Sequence, residues 1–193
     1  EMCIRDRRAD AHSSLARVYF IQCNFEKAWK HTETALNCNP EDAEAHYLKA
    51  LLLDRQHNYE LSDQHMRKAN LIDPENYPKP FSVSREHFEA ITNYVMQNMS
   101  ENIRAFVKNI IIKVSDIPSD DEIATGISPL SLSRLVVCEK DKSDRFIVVM
   151  YSRNLLHFSQ DEDELQENIN ICLLSEINKV LNVLESENID AKK

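Results

Sequence analysis

Small and aromatic residues recur through the first third of the chain at a spacing of 34 positions. With residues 9–42 written above residues 43–76, His12 falls on His46, Ala16 on Ala50 and Phe25 on Tyr59. In the same way Ala28 falls on Ser62, Ala35 on Ala69 and Pro40 on Pro74. Each unit predicts a helix, a short turn, a second helix and a stop. The small residues let paired helices approach closely, and Phe25 and Tyr59 are suited to plugging the hairpin turns. Asn39-Pro40 and Asp73-Pro74 end the second helices, because Pro drives the residue before it out of the α region.

Beyond residue 77 the pattern changes. Pro78-Lys79-Pro80 opens a stiff linker over 78–83. Ser84 is a candidate N-cap, and Phe88, Ile91, Val95 and Met99 follow at helical spacing. Phe106 to Val114 is β-branched and predicts a buried strand. Residues 115–133 hold Pro118, Gly126, Pro129 and serines, and predict a loop. Leu135–Cys138 and Phe146–Tyr151 predict two more strands, joined by a hairpin loop at Glu139–Arg145. A long last helix follows, with a stripe at Leu165, Ile169, Cys172, Leu173, Ile177, Val180, Leu181 and Leu184 expected to face the sheet. Ser159 with Glu162 predicts its capping box, and the acidic residues from Asp161 to Glu164 suit the positive end of a helix. The expectation is an α+β fold: helical hairpins, then a small domain with a three-stranded sheet.

The period and residue classes of 9–77 resemble the tetratricopeptide repeat, in two units at 9–42 and 43–76. The resemblance implies an array that binds a protein or peptide partner along the first helix of each hairpin. Ser13, Arg17, Phe20, Tyr47, Leu51 and Asp54 are the matching partner-facing candidates. They include no pair of cations that would clamp a C-terminal carboxylate, so they name no ligand. Each hairpin in such an array buries its apolar face by stacking on the next. Two units are few, so further units upstream, or cover from the C-terminal half, are expected.

The span 84–186 resembles a family of minimal zincin-like metallopeptidases. The resemblance is carried by Asp73-Pro-Glu-Asn-Tyr-Pro78 leading to Ser84-Arg-Glu-His-Phe88, by Val114-Ser-Asp-Ile-Pro118, by Val149-Met-Tyr-Ser-Arg153 and by the helix start at Asp161–Leu165. Some members carry tetratricopeptide repeats directly in front. The family's last helix bears H-E-x-G-H-x-x-G-x-x-D, in which two His one turn apart bind zinc and the Glu acts as general base. In this chain those positions read Ser175, Glu176, Lys179, Asn182 and Glu185. The base position is kept and Glu185 could coordinate a metal, but both His are replaced. An ammonium at 179 stands where a dication would sit. The expectation is no catalytic zinc, no other cofactor and no enzymatic activity. The two alternatives are an active zinc peptidase with unusual ligands, such as Glu176 and Glu185 plus others from elsewhere, and a structural fragment of a larger repeat assembly.

Charge narrows the partners. With 23 basic and 32 acidic residues the net charge is -9. A phosphate backbone calls for a cationic surface, so nucleic acid is not an expected partner. No apolar run reaches the roughly 18 residues that span a bilayer, so no membrane association is expected. The five cysteines are odd in number and form no C-x-x-C pair, which fits reduced thiols and a cytoplasmic location. With one glycine in the chain there is no phosphate-cradling loop, and no G-x-S-x-G is present. Residues 1–8 read as an adapter-derived or disordered start, with more protein upstream in the natural chain, and 187–193 as a disordered tail.

Overall fold

A computed structural model describes residues 2–77, 79–107, 110–138 and 146–190, without the side chains of 2–6 and 185–190. The described residues form an α+β fold of nine helices and a three-stranded mixed sheet. The chain divides into two compact units, Glu1–Phe81 with Ile117–Pro129, and Ser82–Asp116 with Leu130–Lys193. The linker residue Pro78 and the hairpin loop expected at 139–145 lie outside the described residues.

In the first unit, α1 (Met2–Ile21) pairs with α2 (Phe25–Cys38), α3 (Ala43–Arg55) pairs with α4 (Tyr59–Ile72), and α2 packs on α3. The backbone repeats with the sequence. Cys23 and His57, one period apart, both sit in the left-handed region at φ 60° and 57°. The next residue in each turn, Asn24 or Asn58, caps the following helix by accepting from Lys27 N–H or Leu61 N–H. At the far ends, the N–H groups of Asn39 and Asp73 bond the carbonyls of Ala35 and Ala69. Ala16 and Ala50 are fully buried where helices meet, and Phe25 packs edge-on to Phe20 with ring centroids 5.4 Å apart. Of the adapter-derived or disordered start expected for residues 1–8, disorder is not seen from Met2 onward, where α1 has already begun. No Pro or Gly interrupts that stretch.

The second unit begins with α5 (Arg85–Asn98). Ser84 caps it by accepting from His87 N–H at 3.2 Å, and Phe88, Ile91, Val95 and Met99 are all buried. The strand expected from Phe106 starts later. Glu101–Val107 forms α6, with Arg104 reaching back to the Gln97 carbonyl at 3.2 Å, and β1 is Ile110–Ser115. The β-branched run itself begins only at Ile110, and Arg104-Ala105 favours helix.

Residues 117–129 leave the span expected for one C-terminal domain and belong to the first unit. They are not all loop. Ser119 and Glu122 form a reciprocal capping box for α7 (Asp120–Ala124). Within the first unit, the Arg55 guanidinium bonds both the Pro118 carbonyl and the Asp120 carboxylate.

Back in the second unit, β2 (Ser133–Val137) lies antiparallel to β3 (Phe146–Tyr151), and β3 lies parallel to β1, giving the order β1-β3-β2. Val148 stands between Ile112 and Leu135 in register. Phe146, Val148 and Met150 alternate into the core. A helix not foreseen from sequence, α8 (Ser152–His157), follows β3 directly, and the Arg153 N–H bonds the Asp116 carbonyl at 2.9 Å. The last helix, α9 (Glu162–Asp190), packs on α5, α8, β2 and β3. Its expected stripe is buried from Leu165 to Val180, whereas Leu181 is 40% exposed. Ser159 does not cap it. That residue is buried and donates to the Leu155 carbonyl at 2.8 Å, while Asp161 accepts from Glu164 N–H at 2.9 Å. The helix also runs past the point where a disordered tail was expected to begin, to Asp190.

A non-glycine residue held in the left-handed region carries a steric cost, part of which glycine returns as chain entropy in the unfolded state. Cys23→Gly is therefore expected to stabilise the first unit by about 0.5–1 kcal/mol. Chemical denaturation checks this, and an unchanged or lower midpoint contradicts it.

Candidate functional site

Glu176, at the position expected for a general base, sits on α9 one helical turn from Lys179. Glu176 is only 2% exposed. The Lys179 ammonium lies 2.8 Å from each carboxylate oxygen, and the Ser133 hydroxyl on β2 donates to Oε1 at 2.9 Å. Lys179 itself is half in solvent, with its side chain 55% exposed. It shields the carboxylate from outside while keeping its own charge hydrated, as long cationic side chains do. Cys172, one turn earlier, is buried too. Burial pushes its thiol pKa up, and a hydrogen bond with Ser133 offsets part of that rise. A raised pKa leaves the thiol protonated and a poor nucleophile.

The other motif positions do not converge. Ser175 and Asn182 are exposed, and α9 continues unbroken through Asn182, where the resemblance implies a glycine turn. The side chain of Glu185 lies outside the described residues. A general base must come within hydrogen-bond reach of the proton it removes. Glu176 instead spends its oxygens on Lys179 and Ser133. Among the described residues, no group of three or more His, Cys, Asp or Glu side chains comes together as a metal cage would need.

The partner-facing candidates of the first unit require correction. Ser13, Phe20, Leu51 and Asp54 are 3%, 2%, 4% and 2% exposed. Phe20 and Leu51 belong to the helical core with Ala16, Ala28 and Leu48. The Ser13 hydroxyl lies within hydrogen-bond reach of both the Ala9 carbonyl and the carboxylate of Asp42, the N-cap of α3. These four hold hairpins together and offer no contact surface. Arg17 remains exposed but is paired with Glu44, and half-buried Tyr47 packs against Tyr77 in a tilted arrangement with ring centroids 5.3 Å apart.

The histidines hold a signal that pattern reading missed. His31 and His65 are one period apart, as His12 and His46 are. In each hairpin the two rings meet, Nδ1 to Nδ1 at 2.8 Å, as His12 with His31 and as His46 with His65. The His46 Nε2–H donates to the Pro40 carbonyl at 3.0 Å, which leaves its Nδ1 to accept from His65. Burial, then His46, Lys68 and Lys49, bring His65 down to about 4. Burial also lowers His46.

In the second unit two adjoining cavities, of about 450 and 420 Å³, lie between α5 and the edge strand β1. They share Asn93, Met96 and Ile112. Neither is lined by Glu176, so the Glu176 carboxylate and the open groove are separate features. No helix among the described residues is long and apolar enough to cross a membrane.

Two outcomes follow. Lys179→Met leaves a buried carboxylate without its cation and is expected to cost about 1–2 kcal/mol, reduced from the buried-pair value because the ammonium is half solvated. Glu176→Leu strands only a solvated lysine and costs less. Urea denaturation of both variants compares them, and equal losses contradict the assignment. For the histidine pair, the unfolded ring takes up a proton near 6.5 and folded His65 only near 4. Its contribution to stability is therefore complete above pH 6.5 and is lost progressively as the pH falls toward 4. The thermal midpoint should fall more steeply between pH 7 and pH 5 in the wild-type chain than in His65→Gln, and parallel curves contradict this. Compared with models of known protein families and with curated proteins, the chain matches none.

Proposed function

We propose that the chain is a protein-interaction module: a tetratricopeptide-type helical array followed by a zincin-like domain that has lost its metal and its peptidase activity. The observation that carries this reading is the capture of the buried Glu176 carboxylate by Lys179 and Ser133. A lone carboxylate in such a place needs a cation. In the family it resembles, zinc supplies that charge and the acid activates water. Here an ammonium at the second histidine position supplies it, so the acid is neutralised in place.

The repeat reading draws support from the backbone. The turn residues, the N-capping asparagines and the C-cap hydrogen bonds recur at the same interval as the sequence. The zincin-like reading draws support from the mixed sheet and from a long helix that sets its acid against β2. The odd number of cysteines supports a cytoplasmic setting for the module.

Elemental analysis of the chain purified in zinc-containing medium tests the proposal. The expected result is far less than one zinc per chain and no cleavage of a mixed peptide library. One zinc per chain, with peptide cleavage abolished by Glu176→Gln, would overturn it.

A further inference from the structure

The helix layer of the second unit stops short of one strand. Ile110, Ile112 and Val114 of β1 share a face with Phe146, Val148 and Met150 of β3, their partners in register. Helix α9 packs on β2 and β3, with Glu176 against Ser133 on that same face, and α5 packs on α9. The three β3 residues are buried, whereas Ile112 and Val114 are only half-buried. The two cavities between α5 and β1 lie where the helix cover is incomplete, and Met96, Val107, Ile110 and Ile112 give the larger one its apolar lining.

Strand β1 is also an edge. Among the described residues it pairs with β3 on one side and with no strand on the other. An edge strand presents backbone N–H and C=O groups to whatever lies beside it. At one end the chain itself supplies a partner, because the Arg85 guanidinium donates to the Val114 carbonyl at 2.7 Å. Residues 110–113 run beside the larger cavity.

The charge of this place is opposite to that of the chain. Arg85, Arg104 and Lys113 line it against one acid, Glu89, which Arg85 already pairs at 3.2 Å. The whole sequence has 23 basic and 32 acidic residues. Lys113 is exposed, and its side chain points to the sheet face opposite Ile112. Clustered cations beside an edge favour an acidic strand and disfavour a basic one.

We propose that the β1 edge takes up an extended, acidic peptide segment of a partner protein as an added strand. Alternate side chains of that segment are apolar and fill the gap beside Met96 and Ile112. The side chains between them are acidic, and one stands opposite Lys113, where a cross-strand pair of opposite charge is favourable. Arg104 favours a further carboxylate at the Ile110 end. A second copy of the chain does not fit, because two β1 edges side by side would set Lys113 and Arg104 of one against the same cations of the other. The proposal deepens the reading of the chain as an interaction module. It rests on the binding half of that reading and not on the loss of zinc, since Glu176 lies against the opposite edge strand, β2.

Fluorescence anisotropy of labelled peptides titrated with the full chain tests it. One peptide alternates isoleucine with glutamate, and a second alternates isoleucine with lysine. The glutamate peptide is expected to bind about tenfold more tightly than the lysine peptide. Lys113→Glu should cut that preference with an unchanged circular dichroism spectrum, since the residue is exposed. Backbone N-methylation separates strand addition from charge attraction, because alternate N–H groups of an added strand point toward β1 and away from it. Methylating only the isoleucines or only the glutamates should give one peptide that loses about tenfold in affinity and one that keeps it. Absence of binding, equal binding of the two charge types, a preference unchanged in Lys113→Glu, or equal effects of the two methylation patterns would overturn the proposal. So would a dimer in light scattering that the glutamate peptide converts to monomer, because a second copy would then hold the edge. Zinc at Glu176 with peptide cleavage would overturn the loss of catalysis instead and leave these titrations untouched.

Discussion

Burial of helix faces is the constraint on which the first unit depends. A hairpin of two amphipathic helices covers one face of each and leaves another face in water, so stability comes from neighbours. Helix α3 shows the constraint met on both sides. Nearly every residue from Ala45 to Asp54 is buried, polar ones included. The polar ones are accommodated by specific contacts, Lys49 over Trp29 and toward Glu33, and His46 between Pro40 and His65.

The second unit is governed by the cost of a buried charge. A carboxylate moved out of water loses several kcal/mol of hydration unless a cation and hydrogen bonds replace it. At Glu176 the replacement is complete within the chain, with three donor contacts from two side chains, one on the same helix and one on the edge strand β2. Lys179 reaches across one turn of α9, so helix geometry alone brings the charges together. The arrangement needs no metal to be stable. This arrangement underlies the proposal that the domain binds without cutting.

Features fixed by local periodicity were legible in the sequence. The 34-residue repeat, the Ser84 cap, the buried positions of α5 and the bounds of β3 all depend on patterns that one element sets by itself. The errors fall where neighbours decide. The residues of α6 have no buried member, so no apolar stripe announces that helix. Helix α7 is five residues long and rests on a capping box inside a segment read as loop. Ser159 looks like a cap but is drawn inward to the Leu155 carbonyl, and Asp161 takes the role. Ser13, Phe20, Leu51 and Asp54 were placed on a binding face by analogy with a longer array, whereas here the hairpins close over them. The recurrence of His31 at His65, one period apart like His12 and His46, was legible in the numbering, but the ring contact within each hairpin depends on how its two helices face each other.

The central claim is that an ammonium, not a metal, balances the Glu176 carboxylate, so that the chain acts by binding. A crystal structure grown with millimolar zinc tests it most directly. The account predicts Lys179 Nζ still within hydrogen-bond distance of both Glu176 oxygens and no zinc at that carboxylate. Zinc coordinated by Glu176, with Lys179 swung into solvent and other donors of the chain drawn in around the ion, would contradict it.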